Sequence, residues 1–231
     1  TQGAVSLALS TPDAILTNTS GVGAAGTLTL TADRMALGGN PVSASGQIVT
    51  LQPSSNTWGV DLGSTNDTAG TSTLVLSQAE LNGITAGTLR IHSPQGLNAT
   101  GTLSAPGADL LHLIAGGALN NNSGNITQDK LALTASGDMI VSVDVSNLAV
   151  AVTGDAYVQN DHATANITDL DGVTGFTSGG AGTLVLRTAN ALLTNSSTIT
   201  NTGGDLAVTA DRMALAGGTI TAGTRQVTLA S

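Results

Sequence analysis

The chain has 231 residues, no cysteine, three aromatic residues (Trp58, Tyr157 and Phe176), 30 glycines and a formal net charge of -9 from 15 acids and 6 bases. A disulfide scaffold is excluded for want of thiols; nucleic-acid binding is excluded because Arg34, Arg90, Lys130, Arg187, Arg212 and Arg225 form no basic cluster. Ordinary disorder is also a poor description, since 40% of the residues are hydrophobic and only 9% are charged.

In chain order, the first residue is Thr1, with no charged and apolar leader behind it, so residues 1–231 read as an excerpt of a longer or processed protein. Pairs of aliphatic residues with one residue between them then recur along the whole length. They are Leu7/Leu9, Leu28/Leu30, Val49/Leu51, Leu74/Leu76, Leu89/Ile91, Leu111/Leu113, Leu131/Leu133, Val150/Val152, Leu184/Leu186, Leu206/Val208 and Val227/Leu229. A period of two predicts strands, with Leu28 and Leu30 inward and Thr27, Thr29 and Thr31 outward. Clusters of Gly, Asn, Asp, Ser and Thr between the pairs supply turns. Most pairs lie 19 to 25 residues apart, but the step from Leu76 to Ile91 is 15 and that from Val152 to Leu186 is 34. The long step predicts a weakly patterned rung near Tyr157–Ile167. The short one follows Ser77-x-x-Glu80, a capping box that predicts one helical turn over 78–82. No stretch reaches the roughly 18 apolar residues of a membrane span; Met139–Val152 comes nearest, but it alternates and carries Asp144 and Asn147.

A much longer repeat overlies this short period. Gly26–Pro53 and Gly204–Ser231 are identical at 14 of 28 positions, with an unbroken match of Thr31–Leu37 to Thr209–Leu215 at an offset of 178 residues. Upstream, Leu7–Ser20 matches Leu184–Ser197 at an offset of 177, so the unit 7–53 recurs at 184–231. A rung of about 21 residues cannot bury its own inner face, whereas stacked rungs build a continuous core. The expected fold is therefore all-β: a single right-handed parallel β-helix, or β-solenoid, of about 11 rungs over 1–231, the hand following from the general rule for parallel crossovers. A narrow layered core of Leu, Val, Ile and Ala accounts for the scarcity of aromatics.

The rungs Gly26–Ala32 with Val42–Ala44, and Gly204–Ala210 with Ile220–Ala222, follow the pattern G-x-L-x-L-x-A, a Gly-rich turn, then x-I-x-A. With Leu62–Gly70, Leu76–Ile84 and Thr85–Ile91, they resemble the long repeats of filamentous haemagglutinin-like exoproteins of bacterial two-partner secretion. The resemblance covers most of the chain and is poor over 138–180. It implies a right-handed β-helical shaft, export through a dedicated outer-membrane transporter partner, and display at the bacterial cell surface. No Arg-Gly-Asp motif is present, so no ligand-binding residue carries over.

Individual residues point to no chemistry. Asp33-Arg34 and Asp211-Arg212 recur with the repeat and read as turn elements rather than a ligand patch. Asp169-Leu170-Asp171-Gly172 slightly resembles a calcium loop but lacks its later ligands, and the only glutamate is Glu80. His92, His112 and His162 lack zinc-site spacing, and the alternation places His92 and His112 outward on the surface. The carboxylates read as scattered, without the paired acids of a glycosidase, and no G-x-S-x-G elbow supports a Ser-His-Asp triad. The Thr rows do not recur at every rung, as an ice-binding face requires. Asn120, Asn121, Asn122 and Asn125 are candidates for amide ladders within a turn stack. The expectation is a non-enzymatic structural shaft segment of a secreted adhesin or biofilm protein, with no catalytic residue, metal, cofactor, nucleic acid or membrane insertion, and with host-cell, glycan or self contacts open. Two alternatives stand beside it: a self-assembling extracellular filament or surface-layer subunit, and a carbohydrate-binding or polysaccharide-cleaving β-helix.

Overall fold

The computed structural model describes residues 5–38, 40–65 and 72–231. Asn66–Gly70, part of the stretch that carries the resemblance, falls outside them. Among the described residues, backbone pairing is parallel apart from one isolated antiparallel bridge, and it joins each turn to the next in a β-solenoid of about 10 turns.

The turns are most easily followed on a first face. There the inward residues Leu9, Leu30, Leu51, Ile91, Leu113, Leu133, Val150, Phe176, Ile199 and Ile220 stack in register, one for each of turns one to ten. A second face carries Leu74, Val60, Leu97, Leu119, Met139, Ala156, Leu184, Leu206 and Val227. A third is built from shorter segments such as Val22–Val42–Ile84, Leu103–Ile126–Val143 and Ala165–Leu193–Met213. Their inward side chains meet in one long core in which Leu28, Leu30, Leu51, Leu113, Leu133 and Leu186 are wholly buried. The alternation read from sequence is thus the alternation of the structure, down to Leu28 and Leu30 pointing inward, except at the last pair: Val227/Leu229 pair with Leu206/Val208 but stay exposed.

The aliphatic pairs do not form the single ladder that their spacing implies. Leu74/Leu76 pairs with Val60/Leu62 on the second face, and so does not open a turn of its own. Leu184/Leu186, Leu206/Val208 and Val227/Leu229 also belong to the second face. A pair of inward aliphatics looks the same on any face, and spacing alone cannot tell a full turn from a turn and a third. In consequence the 178-residue repeat is rotated by one face. Leu28/Leu30 lie on the first face and their counterparts Leu206/Val208 on the second, while Val42 on the third face corresponds to Ile220 on the first.

The weakly patterned rung exists, as strands Ala156–Asn160 and Thr164–Ile167. The helical turn also forms, over Gln78–Asn82, with the reciprocal bonds of a capping box: the Ser77 amide donates to Glu80 Oε2 (2.9 Å) and the Glu80 amide to Ser77 Oγ (3.3 Å). It does more than fill a gap. Glu80 Oε1 accepts from the Leu37 amide, and the Gln78 side chain exchanges two bonds with the backbone of Ser104, so the helix ties turns on either side of it. Asparagines close several corners by bonding the backbone of another turn, and Asn166 Nδ2 donates to Asn147 Oδ1 at 3.4 Å. Asn160, fully buried, exchanges bonds with the amide and carbonyl of Val145, and Asn121 does the same with Ser142.

Phe176 is the one aromatic within the core, stacked between Val150 and Ile199. Just before it, Gly175 has φ +57°, and a Cβ there would overlap the Thr198 carbonyl. Replacing Phe176 with Ala is expected to cost about 3–5 kcal/mol, and with Leu less than about 1.5 kcal/mol. Gly175→Ala adds a forced left-handed residue at about 1–3 kcal/mol. Urea unfolding followed by circular dichroism ranks the three; equal losses for the two Phe176 variants would contradict the close packing described.

Candidate functional site

One cluster of ionisable groups stands apart from the regular stack. On the outside of the first face, Arg90, His112, Ala132 and Ala149 occupy equivalent positions in turns four to seven. In turn eight the chain leaves the ladder after Ile167, where the Thr168 amide donates to Leu148 O, and rejoins it at Phe176. Between these points Leu170 and Val173 exchange two backbone hydrogen bonds of 3.0 and 2.8 Å, closing a two-residue hairpin. Its central residues, Asp171 (φ 49°) and Gly172 (φ 81°), are both left-handed. That is the geometry of a type I′ turn, for which Asp-Gly is a preferred sequence.

The hairpin folds back along the rod. Val173 packs with Leu110, Ala132 and Ala149 in a small apolar cluster separate from the main core, with Leu170 beside it. At its tip, Asp171 takes Arg90 in a two-pronged contact, Nε to Oδ2 at 2.7 Å and a terminal nitrogen to Oδ1 at 2.6 Å. Asp171 Oδ2 also meets His112 Nδ1 at 2.7 Å, and His112 Nε2 lies 3.0 Å from Thr134 Oγ1.

His112 does point outward, as the alternation requires, but it is not a surface residue. The hairpin covers it and leaves it 5% exposed. Burial pushes its pKa below the ordinary histidine value, and the Asp171 carboxylate only partly offsets this. His112 is therefore neutral at pH 7, with Nδ1–H donating to Asp171 and Nε2 accepting from Thr134. Burial also disfavours charge on Asp171, yet hydrogen bonds from Arg90 and His112 prevail and hold its carboxyl below the usual range.

Asp171, His112 and Thr134 stand in the order of an acid, base and hydroxyl relay. Both Asp171 oxygens are occupied by Arg90, the imidazole is shut under the hairpin, and the same contacts fasten the hairpin to the rod. In the stretch 169–172, which slightly resembles a calcium loop, Asp171 binds Arg90 and His112, and Asp169 Oδ1 accepts from the Gly175 amide at 3.0 Å. Among the described residues, no group of three His, Asp or Glu is placed to hold a metal ion.

The carboxylates are less scattered than their sequence positions imply. Asp109, Asp129 and Asp144 line one groove of about 640 Å³ together with Lys130 and His162. Stacking brings together residues roughly one turn apart, which no local motif reveals; within the groove the Ser146 hydroxyl donates to Asp129. The other histidine, His92, is half-buried at 3.3 Å from Gln52 Oε1. Asp33-Arg34 and Asp211-Arg212 lie within the strands Leu28–Ala36 and Leu206–Ala214 rather than in turns, and Asp33 bonds the next turn instead of local backbone: its Oδ1 accepts from Ser54 Oγ and the Ser55 amide, both at 2.7 Å. Asp211 and Arg212 are exposed. The Thr rows form a small ladder near one end, where Thr198 Oγ1 and Thr200 Oγ1 each lie 3.1 Å from their neighbours Thr219 and Thr221. Among the described residues, no helix is long and apolar enough to cross a membrane.

Compared with protein-family models, with curated proteins and with solved structures, the chain matches none.

Both His112 and Asp171 bind protons less readily in the folded protein than in the unfolded chain, so folding stability falls as either takes one up. For His112 the loss begins as pH drops below about 6.5, the unfolded value, and is complete below the folded one; for Asp171 it begins below about 3.9. Urea unfolding at pH 7 and pH 5 is expected to show a less stable protein at pH 5. The variant His112→Asn, which keeps a donor toward Asp171, is expected to flatten that difference. An unchanged pH difference in the variant would show that the titration lies elsewhere.

Proposed function

We propose that the chain is a non-catalytic structural segment of an elongated shaft belonging to a secreted bacterial surface protein of the adhesin or biofilm type. The observation that carries this reading is the parallel stack of about 10 turns, in which the Arg90–Asp171–His112 cluster joins turns to one another. A solenoid of this kind extends by adding turns without enlarging its core, which suits a spacer. Ten turns at about 4.8 Å each make a rod near 50 Å long.

The composition supports the same reading. A chain without cysteine has no disulfide to form before or during export, and repeated turns of about 21 residues can fold successively as they emerge. Passage through an outer-membrane transporter, display outside the cell, and contacts with host surfaces, glycans or like chains are parts of this proposal and rest on the repeat resemblance. The acidic composition, with a sequence pI near 4.3, favours solubility at a crowded surface.

Immunogold labelling of source cells with antibodies raised against the folded segment tests the placement. Label is expected outside the outer membrane and displaced from it; label confined to the cytosol would overturn the reading. Incubation of the purified segment with a panel of polysaccharides is expected to release no reducing ends, and reproducible release, lost on replacing Asp129 or Asp144, would favour a cleaving β-helix instead.

A further inference from the structure

We propose that the Leu170–Val173 hairpin is a clamp that makes turns four to eight open as one unit. In a solenoid each turn touches only its neighbours, so stability is close to a sum of local terms and the rod can fray turn by turn. Ladder partners on the first face are separated by 17 to 40 residues in sequence. The hairpin breaks that rule: Asp171 is bonded to Arg90 across 81 residues and to His112 across 59. Its other foot, Val173, rests on Leu110 of turn five and on Ala132 and Ala149 of the two intervening turns.

The arrangement has the parts a clamp needs. The span is held at both ends, by the ladder at Ile167 and Phe176 and by the two-pronged Arg90 contact. Its tip is rigid, because two consecutive left-handed residues set by Asp-Gly fix the turn. The Asp171 side chain is 9% exposed and that of Arg90 35%, so losing Arg90 or His112 leaves the more buried carboxylate poorly compensated. The groups facing Asp171 are Arg90 and His112, and Thr134 completes the chain of bonds. Opening turn four or five alone therefore means breaking the clamp, after which turns six and seven lose their outer cover.

Hydrogen exchange read by mass spectrometry on the whole chain, over a series of low urea concentrations, tests this. In the unmodified protein, peptides covering 88–93, 108–115, 131–135 and 148–152 are expected to share one urea dependence and one opening free energy. Asp171→Asn, close in shape but without the charge, is expected to raise exchange in 88–93 and 108–115 by roughly 10- to 100-fold and to separate them from 131–135 and 148–152. Val173→Ser, which weakens the other foot while keeping the Arg90 contact, is expected to free 131–135 and 148–152 before 88–93. Independent exchange of the four segments in the unmodified protein would overturn the clamp. So would an effect of Asp171→Asn confined to 168–175, or one spread evenly over all ten turns.

Discussion

Everything in this molecule depends on the parallel hydrogen-bonded ladder between one turn and the next. A single turn of about 21 residues offers a few inward aliphatic side chains and has no second layer to cover them. Burial arises only when Leu30 lies on Leu51, Leu51 on Ile91 and Ile91 on Leu113, each stacked side chain removing its neighbour's surface from water. The backbone groups that the ladder satisfies are the same groups that fix the spacing of that stack. Core and ladder are therefore one interaction seen from two sides. The composition follows from it, because a thin core layered at strand spacing takes branched aliphatics and admits a large ring at one described position, Phe176.

Corners and irregularities are solved by the same economy. Where the ladder turns, Asn160 and Asn121 lend side-chain amides to the backbone of an adjacent turn, replacing bonds that a bend would otherwise leave unmade. Where the chain makes an extra excursion, the helix at Gln78–Asn82 is capped by its own Glu80, and the same carboxylate receives the Leu37 amide from another turn. The hairpin at Asp171 is the third such device, and the only one of the three that reaches beyond neighbouring turns.

The sequence displays the parts that are local and hides those that depend on how far the chain has wound. Alternation at Leu28 and Leu30, the capping box at Ser77 and Glu80, and the rung around Tyr157 can all be read because each is written within a dozen residues. The number of faces cannot, since Leu30 and Val208 carry the same pattern on different faces. His112 shows the limit clearly. Its outward direction follows from period two, but its burial is imposed by residues about 60 positions later. The Asp-Gly pair at 171–172 carried a legible hairpin signal in a stretch that otherwise resembled a calcium loop, yet where that hairpin lands is not a local property. The acidic groove is hidden for the same reason, because Asp109 and Asp129 become neighbours only when a turn closes between them.

The one-face rotation of the long repeat changes what a repeated sequence means on this scaffold. Two stretches as alike as Thr31–Leu37 and Thr209–Leu215 look out from different sides of the same rod. Any side chain conserved from one unit to the next is thereby displayed at a new azimuth, and three successive units at this spacing would cover the whole circumference before the first direction returned. Such a rod has no front or back: a contact site built once into the unit would be offered in every direction, like the thread of a screw.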